Sequence, residues 1–161
     1  MSSDSGPPFA FWYRERVRFR DVDLQQIVYY GKYLDYFDNA LYEYLRSLGF
    51  ETSGIDARHG FDTSVVHVEI DYVSPATFDD LLEIGLRVTR LGRSSFDVRY
   101  EIRVAERVVC RAQMVLVNFD ARLKRARPIP DAIRTAIEAS NLVADRTGGR
   151  GQAGLDTIRG A

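Results

Sequence analysis

The sequence predicts an α+β protein in which a curved antiparallel sheet wraps around one long central helix. Apolar residues recur at spacings of three, four and seven over residues 32–48, which is the pattern of a helix with a wide apolar face. Later runs alternate apolar and polar side chains as half-buried strands do, at residues 63–73, 81–91, 96–104 and 107–119. Both apolar faces need burial, and packing the helix on the sheet buries them together.

The helix is preceded by a short strand and a loop. In residues 14–20, Val17 and Phe19 alternate with charged residues, which predicts a strand. The helix ends at Gly49, a residue that takes the left-handed conformation of a helix stop at little cost. At its start, Val28-Tyr29-Tyr30-Gly31 provides no Ser, Thr or Asp N-cap. The first N–H groups are therefore free for a ligand and carry partial positive charge.

Short connections join the later strands and favour an antiparallel meander, as at Ser74-Pro75-Ala76 and Ala105-Glu106. The first of these strands is expected to pack one face, formed by Val66, Val68, Ile70 and Tyr72. A single small sheet also leaves unpaired strand edges and a solvated face. Self-association as a homodimer or homotetramer is therefore expected.

The chain is expected to contain one domain. Residues 1–8 are small, polar and proline-containing, which predicts a disordered N-terminus. The domain itself is expected over residues 9–130, because 161 residues suffice for one substantial core. Residues 131–161 are expected to form a short helix over 131–140, with Asp131 as its N-cap, and a flexible tail.

Composition argues against several kinds of partner. The net charge of −1 provides no electrostatic reason to expect binding to nucleic acid or to an anionic membrane. No run approaches the roughly 18 apolar residues of a membrane span, and the first residues do not form a signal peptide. The protein is therefore expected to be cytoplasmic.

No metal or other cofactor is expected. Cys110 is the only cysteine, so no internal disulfide can form, and its apolar surroundings predict a small buried side chain. His59 and His67 do not have a metal-ligand spacing. His67 is expected to be a structural residue or part of a pocket wall.

Four motifs occur in an order that carries a family resemblance: Asp21-Val-Asp23 with Ile27-Val-Tyr-Tyr30, then YLDYFD at 33–38, IDYVSPA at 70–76 and LGRSS at 91–95. Over residues 13–130 the chain resembles the hotdog-fold acyl-CoA thioesterases of the 4-hydroxybenzoyl-CoA thioesterase type. The resemblance implies a hotdog fold and dimers with a continuous sheet, often paired into tetramers. It also implies hydrolysis of an acyl-CoA thioester at sites between subunits. Hydratases of the same fold use an Asp–His pair, which is missing from the loop before the helix.

Asp23 and Tyr30 are the candidate catalytic residues. Thioester hydrolysis needs a nucleophile or an activated water at the carbonyl carbon and positive polarity at the carbonyl oxygen. The Asp23 carboxylate can supply the first and the backbone N–H of Tyr30 the second. They also match the family's catalytic aspartate and carbonyl-polarising amide. The alternative for Asp23 is a loop aspartate that caps nearby amides.

Two other aspartates near this segment are expected to have lesser roles. Asp21 is expected to be structural, with its side chain bonded to the backbone or to a nearby arginine. Asp38 matches a position where relatives often carry a helix carboxylate, and a solvated or salt-bridged side chain is expected there.

One residue departs from the family pattern. Relatives usually have glycine where Gln26 stands, and glutamine takes a left-handed conformation only at a cost. Either the loop follows another path, or the Gln26 amide contributes a hydrogen bond to substrate binding.

Cationic residues are expected at the mouth of the site, because coenzyme A carries phosphates. The candidates are Arg93 and Ser94 in one hairpin and Lys124 and Arg125 in the basic segment that follows the last strand. That segment leaves a second substrate open, an acyl group bound to an acyl-carrier or polyketide-synthase protein. A third alternative is a non-catalytic protein that binds acyl ligands, which Gln26 makes possible.

Overall fold

The structure is a computed structural model, and it describes residues 6–148. The strands are β1 (Phe11–Arg16), β2 (Thr63–Tyr72), β3 (Leu81–Leu91), β4 (Ser95–Val104), β5 (Arg107–Asp120) and β6 (Arg125–Ala126). The helices are α1 (Lys32–Ser47), α2 (Ile55–His59) and α3 (Asp131–Thr147), and a 3₁₀ turn spans Phe19–Asp21.

The strands form one antiparallel sheet in the order β1-β3-β4-β5-β2, with β6 paired to the end of β5. The sheet curves around α1, so the predicted fold class is confirmed. Alternate residues of β3 and β4 face the helix and are almost fully buried: Leu82, Ile84, Leu86, Val98, Tyr100 and Ile102. They pack in one cluster with the apolar face of α1, formed by Tyr33, Tyr36, Phe37, Ala40, Leu41, Tyr44 and Leu45.

The first strand differs from the prediction. It ends at Arg16, and the predicted strand residues 17–20 turn away from the sheet. The cause is Asp21, whose carboxylate accepts the Arg18 N–H at 2.8 Å and folds the chain into a 3₁₀ turn. Phe19, expected to be half-buried, is consequently 82% exposed.

The strand β2 lies at the edge of the sheet and is exposed on both faces. Val65, Val66 and Val68 are all exposed, and the pairing with β5 shifts register between Val65 and His67. The prediction of one packed face is therefore wrong for most of β2, where Ile70 packs partly against the core and the ring of the exposed Tyr72 contacts Tyr33. The predicted meander holds for β3, β4 and β5 but is wrong for β2, which pairs with β5 and not with β3. Within residues 6–148, β2 has a strand neighbour on one side only.

The C-terminal helix α3 is longer than predicted and begins after Pro130, which occupies the N-cap position in place of Asp131. Its buried residues Ile133, Ile137 and Ala144 continue one stripe past the predicted end at residue 140. The pairing of β3 with β1 stops at Leu86, and α3 covers the edge of β3 beyond that residue. There the Asn141 side-chain amide donates to the Val88 carbonyl at 2.8 Å. The predicted flexible tail after residue 148 lies outside the described residues.

The segment before β1 lies across the outer face of the sheet. Phe9 and Trp12 pack edge to face above Gly85, where a Cβ atom would come within 2.8 Å of the Phe9 ring. The Pro8 carbonyl accepts a hydrogen bond from Arg87 at 2.8 Å. Disorder was predicted for residues 1–8, and of these Pro8 contacts the sheet. Residues 1–5 lie outside the described residues.

The described helices contain no segment that is long and apolar enough to cross a bilayer.

Candidate active site

Asp23 lies at the start of a small hairpin that leads into α1. Val22 and Val28 form a bridge, and the Asp23 N–H donates to the Ile27 carbonyl at 3.0 Å. A second bond from the Gln26 N–H to the Asp23 carbonyl, at 2.9 Å, closes a tight turn. This is a three-residue hairpin loop whose last residue adopts the left-handed conformation.

The left-handed residue is Gln26, with φ of 62°. The loop thus follows the path that a glycine would favour, and Gln26 adopts it despite the steric cost of a Cβ atom, about 1 kcal/mol. The expectation that glutamine redirects the loop is wrong. The Gln26 side chain is exposed, at the tip of the loop.

The Asp23 carboxylate is half-buried and held by one oxygen. Its Oδ1 atom accepts the Gln25 N–H at 2.7 Å, which is the capping contact of the alternative interpretation. Its Oδ2 atom makes no hydrogen bond within residues 6–148. The side chain is therefore oriented by the loop and still has one oxygen available for chemistry.

The start of α1 has two unpaired amides close to this hairpin. The N–H groups of Val28, Tyr29 and Lys32 donate to the carbonyls of Ala76, Asp21 and Tyr29 at 2.8–2.9 Å. Across the described chain, no acceptor lies within hydrogen-bonding distance of the Tyr30 or Gly31 N–H. Gly31 is the N-cap and has no side chain that could satisfy them. The predicted free amides are therefore present, beside the partial positive charge of a helix start.

Asp21 ties the hairpin to the helix. The carboxylate is 3% exposed, and its Oδ2 atom accepts the Arg18 N–H at 2.8 Å and the Tyr36 hydroxyl at 3.0 Å. The Lys32 ammonium lies 3.5 Å from Oδ1. The prediction of a structural, backbone-bonded side chain is confirmed. Burial, together with the hydrogen bond that the Tyr36 hydroxyl donates to Asp21, raises the pKa of Tyr36 far above its usual value. This phenol therefore stays protonated.

A polar cavity of about 300 Å³ opens next to Asp21, on the β1 side of the helix start. It is lined by Glu15, Arg20, Asp21, Lys32, Asp35, Tyr36, Asp38 and Asn39. Asp38 is exposed at its rim, as expected for a solvated side chain, although partial burial and the nearby Asp35 raise the pKa of its carboxyl. Sequence reasoning missed Lys32 and Tyr36, because spacing alone does not reveal which side chains of a helix reach back to the preceding loop.

The four predicted phosphate contacts gather at the opposite end of the sheet. The Ser94 carbonyl accepts the Asn118 N–H at 2.8 Å, and the Arg93 carbonyl accepts the Ile129 N–H at 2.8 Å. Lys124 ends the turn between β5 and β6, and Arg125 is the first residue of β6, at the same end. The side chains of Arg93, Lys124 and Arg125 are exposed and form no ion pair in the described part of the chain.

Within one chain these cations do not meet Asp23. The Tyr72 hydroxyl, at one end of β2, donates to the Tyr30 carbonyl at 2.9 Å. At the other end of β2, Thr63 pairs with Asn118, next to Ser94. Ten residues of strand separate these ends by about 30 Å. Within one chain the cations therefore lie far from Asp23, and their role as phosphate contacts stays a prediction.

The remaining candidates lie apart from the hairpin. Cys110 is buried, as predicted, and burial raises the pKa of its thiol to about 12. His59 packs edge to face on Phe50, and His67 is exposed on β2. No group of three His, Cys, Asp or Glu side chains in residues 6–148 is arranged to hold a metal ion.

Comparison with known proteins identifies one family. A sequence model described as "Thioesterase superfamily" matches residues 25–111, a stretch that begins just after Asp23. The 1,4-dihydroxy-2-naphthoyl-CoA hydrolase of Nostoc punctiforme is 29% identical over 136 residues, covering 84% of this chain and 92% of the relative.

Two solved structures extend the similarity to the fold. The 1,4-dihydroxy-2-naphthoyl-CoA thioesterase from Synechocystis superposes with a TM-score of 0.71 at 29% identity, covering 79% of this chain and 94% of the other. A gentisyl-coenzyme A thioesterase superposes with a TM-score of 0.70 at 28% identity, covering 79% and 98%.

Proposed function

Because the chain belongs to the thioesterase superfamily, we propose that it hydrolyses an acyl-CoA thioester to a free acid and coenzyme A, with Asp23 and the Tyr30 amide at the reacting carbonyl. The protein is a thioester hydrolase, as the resemblance implied. One observation carries the assignment of residues. A carboxylate with a free oxygen lies in the hairpin that leads directly into a helix start with unpaired N–H groups.

The two groups have complementary roles. As a general base, Asp23 Oδ2 takes a proton from water while the water oxygen attacks the thioester carbon. The carbon–sulfur bond then breaks, and the departing thiolate recovers the proton. As a nucleophile, Asp23 instead forms an anhydride with the acyl group and releases the thiolate, and water cleaves the anhydride. The Asp23 carboxylate is regenerated in both cases.

The Tyr30 N–H is proposed to stabilise the negative charge that develops on the carbonyl oxygen. An oxyanion donor of this kind typically contributes about 3 kcal/mol to transition-state stabilisation. The amide is not engaged elsewhere in residues 6–148, so binding the oxyanion does not break an existing bond. The partial positive charge of the α1 start adds to its effect.

We infer that the acyl group is aromatic. The relatives described above act on naphthoyl and gentisyl groups, according to their names. In this chain the exposed rings of Tyr29 and Tyr30 lie 4.5 Å apart between centroids, at the helix start that follows the Asp23 hairpin. Two exposed phenol rings tilted at 44° to one another at this position favour contact with an aromatic substrate over a flexible alkyl chain.

We also propose that two copies of the chain complete the site. The β2 edge exposes Val66 and Val68 and has no second strand neighbour within residues 6–148, which favours pairing with another chain. If two β2 strands pair antiparallel about a two-fold axis, the Tyr72 end of one lies beside the Thr63 end of the other. Arg93 and Lys124 of the second copy would then lie close to Asp23 of the first.

The experiment that tests the proposal measures thiol release from a panel of aromatic and aliphatic acyl-CoA substrates. The wild-type protein is expected to favour the aromatic members. Asp23→Asn is expected to reduce kcat by at least about 100-fold with the melting temperature nearly unchanged. Full activity of this variant would overturn the role of Asp23, and binding without thiol release would favour a non-catalytic binder.

A second measurement distinguishes the thiol carrier. The same acyl group is presented on coenzyme A and on an acyl-carrier protein, and kcat/KM is compared. A preference for the coenzyme A ester supports the proposal, and a large preference for the carrier-bound ester supports the alternative substrate. The cytoplasmic location stays a prediction.

A further inference from the structure

We propose that Tyr72 is a positioning residue for this reaction, because its hydroxyl fixes the Tyr30–Gly31 peptide at the start of α1. The inference rests on the proposed function, since it concerns the peptide next to the Tyr30 N–H, which is the group expected to polarise the substrate carbonyl. A flip of this peptide would leave the Tyr30 N–H in place and exchange the neighbouring Gly31 N–H for a carbonyl oxygen. Tyr72 belongs to β2, 42 residues further along the chain, and its hydroxyl donates to the Tyr30 carbonyl at 2.9 Å.

The Tyr30–Gly31 peptide is in the middle of a turn that can exist in two forms. The Lys32 N–H donates to the Tyr29 carbonyl at 2.8 Å, so Tyr30 and Gly31 are the two central residues. Gly31 has φ of −69° and ψ of −20°, which belongs to the type I form. The type II form differs by a flip of the central peptide and needs φ of about +80° at the third residue, a conformation that glycine adopts easily.

A glycine is needed at position 31 for a separate reason. A Cβ atom there would come within 2.9 Å of the Tyr29 ring, which lies across the turn. The residue that makes room for Tyr29 therefore also makes the peptide flip inexpensive. The bond from Tyr72 compensates for this freedom, because only the type I orientation points the Tyr30 carbonyl at β2.

The flip matters for the reaction because a trans peptide points its C=O and N–H in opposite directions. With the carbonyl held by Tyr72, the Gly31 N–H points away from β2. After a flip, the Tyr30 carbonyl oxygen would replace that N–H, and its partial negative charge would repel a developing oxyanion. Tyr72 is itself well placed to act as a fixed donor, since its ring packs edge to face on the buried Tyr33 at 5.5 Å.

The first test is Tyr72→Phe, which removes the hydroxyl and keeps the ring. We expect kcat to fall about tenfold, with KM and the melting temperature changed little. The matched control is Tyr13→Phe on β1, at the opposite edge of the sheet, which is expected to leave kcat unchanged. An unchanged kcat in Tyr72→Phe, or a loss that appears in KM alone, would overturn the inference.

A double-mutant cycle separates positioning from general damage. Alanine at position 31 resists the positive φ of the type II form, and Tyr29→Ala removes the ring that the new Cβ atom would meet. In a Tyr29→Ala/Gly31→Ala background the additional loss caused by Tyr72→Phe is therefore expected to be below about twofold. An equal loss in both backgrounds would contradict the flip mechanism. Parallel assays of Asp23→Asn keep the two proposals apart. If that variant retains activity the proposed function fails, whereas an inactive Asp23→Asn with a fully active Tyr72→Phe refutes only the role of Tyr72.

A spectroscopic readout does not depend on turnover. An aroylmethyl-CoA thioether carries the ketone without a hydrolysable bond, and hydrogen bonding to its oxygen lowers the infrared C=O stretching frequency. We expect the bound ketone to show a smaller shift in Tyr72→Phe than in the wild-type protein. The same shift in both proteins would overturn the inference.

Discussion

The loops that contain Asp23 and Asp120 use the same local structure at opposite ends of the sheet. In each, an aspartate side chain accepts the backbone N–H two residues ahead, Gln25 in one loop and Arg122 in the other. In each, a residue near the end of the turn is left-handed, with φ of 62° at Gln26 and 51° at Lys124.

The loops differ in what lies next to the carboxylate. Oδ1 of Asp120 also accepts the Leu123 N–H at 2.9 Å, and the chain continues into the two-residue strand β6. The Asp23 loop continues into a sixteen-residue helix, and the Tyr30 and Gly31 amides just before that helix are unpaired within residues 6–148. A turn aspartate is therefore an ordinary structural device, and the neighbouring helix start is what makes Asp23 a candidate for catalysis.

The largest expected effect is a difference between two matched substitutions. Asp23→Asn removes the proposed base or nucleophile, so kcat should fall 100-fold or more, whereas Asp120→Asn should keep kcat within about twofold. In both variants the asparagine Oδ1 atom can still accept the turn N–H groups, so the difference between them isolates the chemistry from the turn structure. Steady-state thiol release measures it. Similar losses in both would mean that Asp23 acts only by shaping its loop.

The sequence predicted the long helix and the meander β3-β4-β5, because these follow from short-range periodicity and short connections. It did not predict that β2 pairs with β5 at the far edge of the sheet, since that pairing is long-range. The central strands β3 and β4 fit the prediction well, because each has a strand on both sides and α1 covers one face, which buries every second residue. Periodicity failed at the edge strand β2, where Val66 and Val68 alternate correctly but have no partner to cover them in one chain.

The predicted site was less complete, for a physical reason. Asp23 and Arg93 were grouped through the chemistry of one ligand, but the pairing of Thr63 with Asn118 places Arg93 at the far end of β2. Tyr72 was expected only as a packed strand residue. Its hydrogen bond to Tyr30 depends on a long-range approach that spacing in the sequence does not encode.

The next prediction tests whether a dimer brings Asp23 of one chain close to Arg93, Lys124 and Arg125 of the other. Asp23→Asn is mixed, by denaturation and refolding, with a second variant that carries Arg93→Ala, Lys124→Ala and Arg125→Ala. If each site combines Asp23 of one chain with the cations of the other, the mixed dimer has one intact site of two. Since about half of the dimers are mixed, roughly a quarter of wild-type activity should return at low substrate concentration.

Unmixed samples of the two variants, combined without denaturation, are the control. Activity that does not exceed this control would show that each chain forms its site alone. A sedimentation experiment on the refolded mixture checks that dimers have formed.

A smaller effect concerns the left-handed residues. Gln26→Gly and Lys124→Gly each remove the steric cost of a Cβ atom at positive φ, so each should stabilise the fold by up to about 1 kcal/mol. Urea unfolding with an unchanged m-value measures the gain. If Gln26→Gly is neutral while Lys124→Gly stabilises, the Gln26 side chain makes a contact that compensates for the steric cost.

The smallest effect concerns how the contribution of Asp120 to the free energy of unfolding depends on pH. Bonds from the Leu123 and Arg122 N–H groups, with Arg127 nearby, lower the pKa of Asp120. A lowered pKa in the folded state means that the unfolded chain binds more protons at acidic pH. The contribution of Asp120 to stability is therefore complete above the ordinary aspartate pKa of about 3.9 and is lost as the pH falls through the folded value. The difference in unfolding free energy between wild type and Asp120→Asn should accordingly shrink from pH 6 to pH 3. A difference that stays constant would show that the turn amides hold the protonated and the ionised carboxyl of Asp120 equally well.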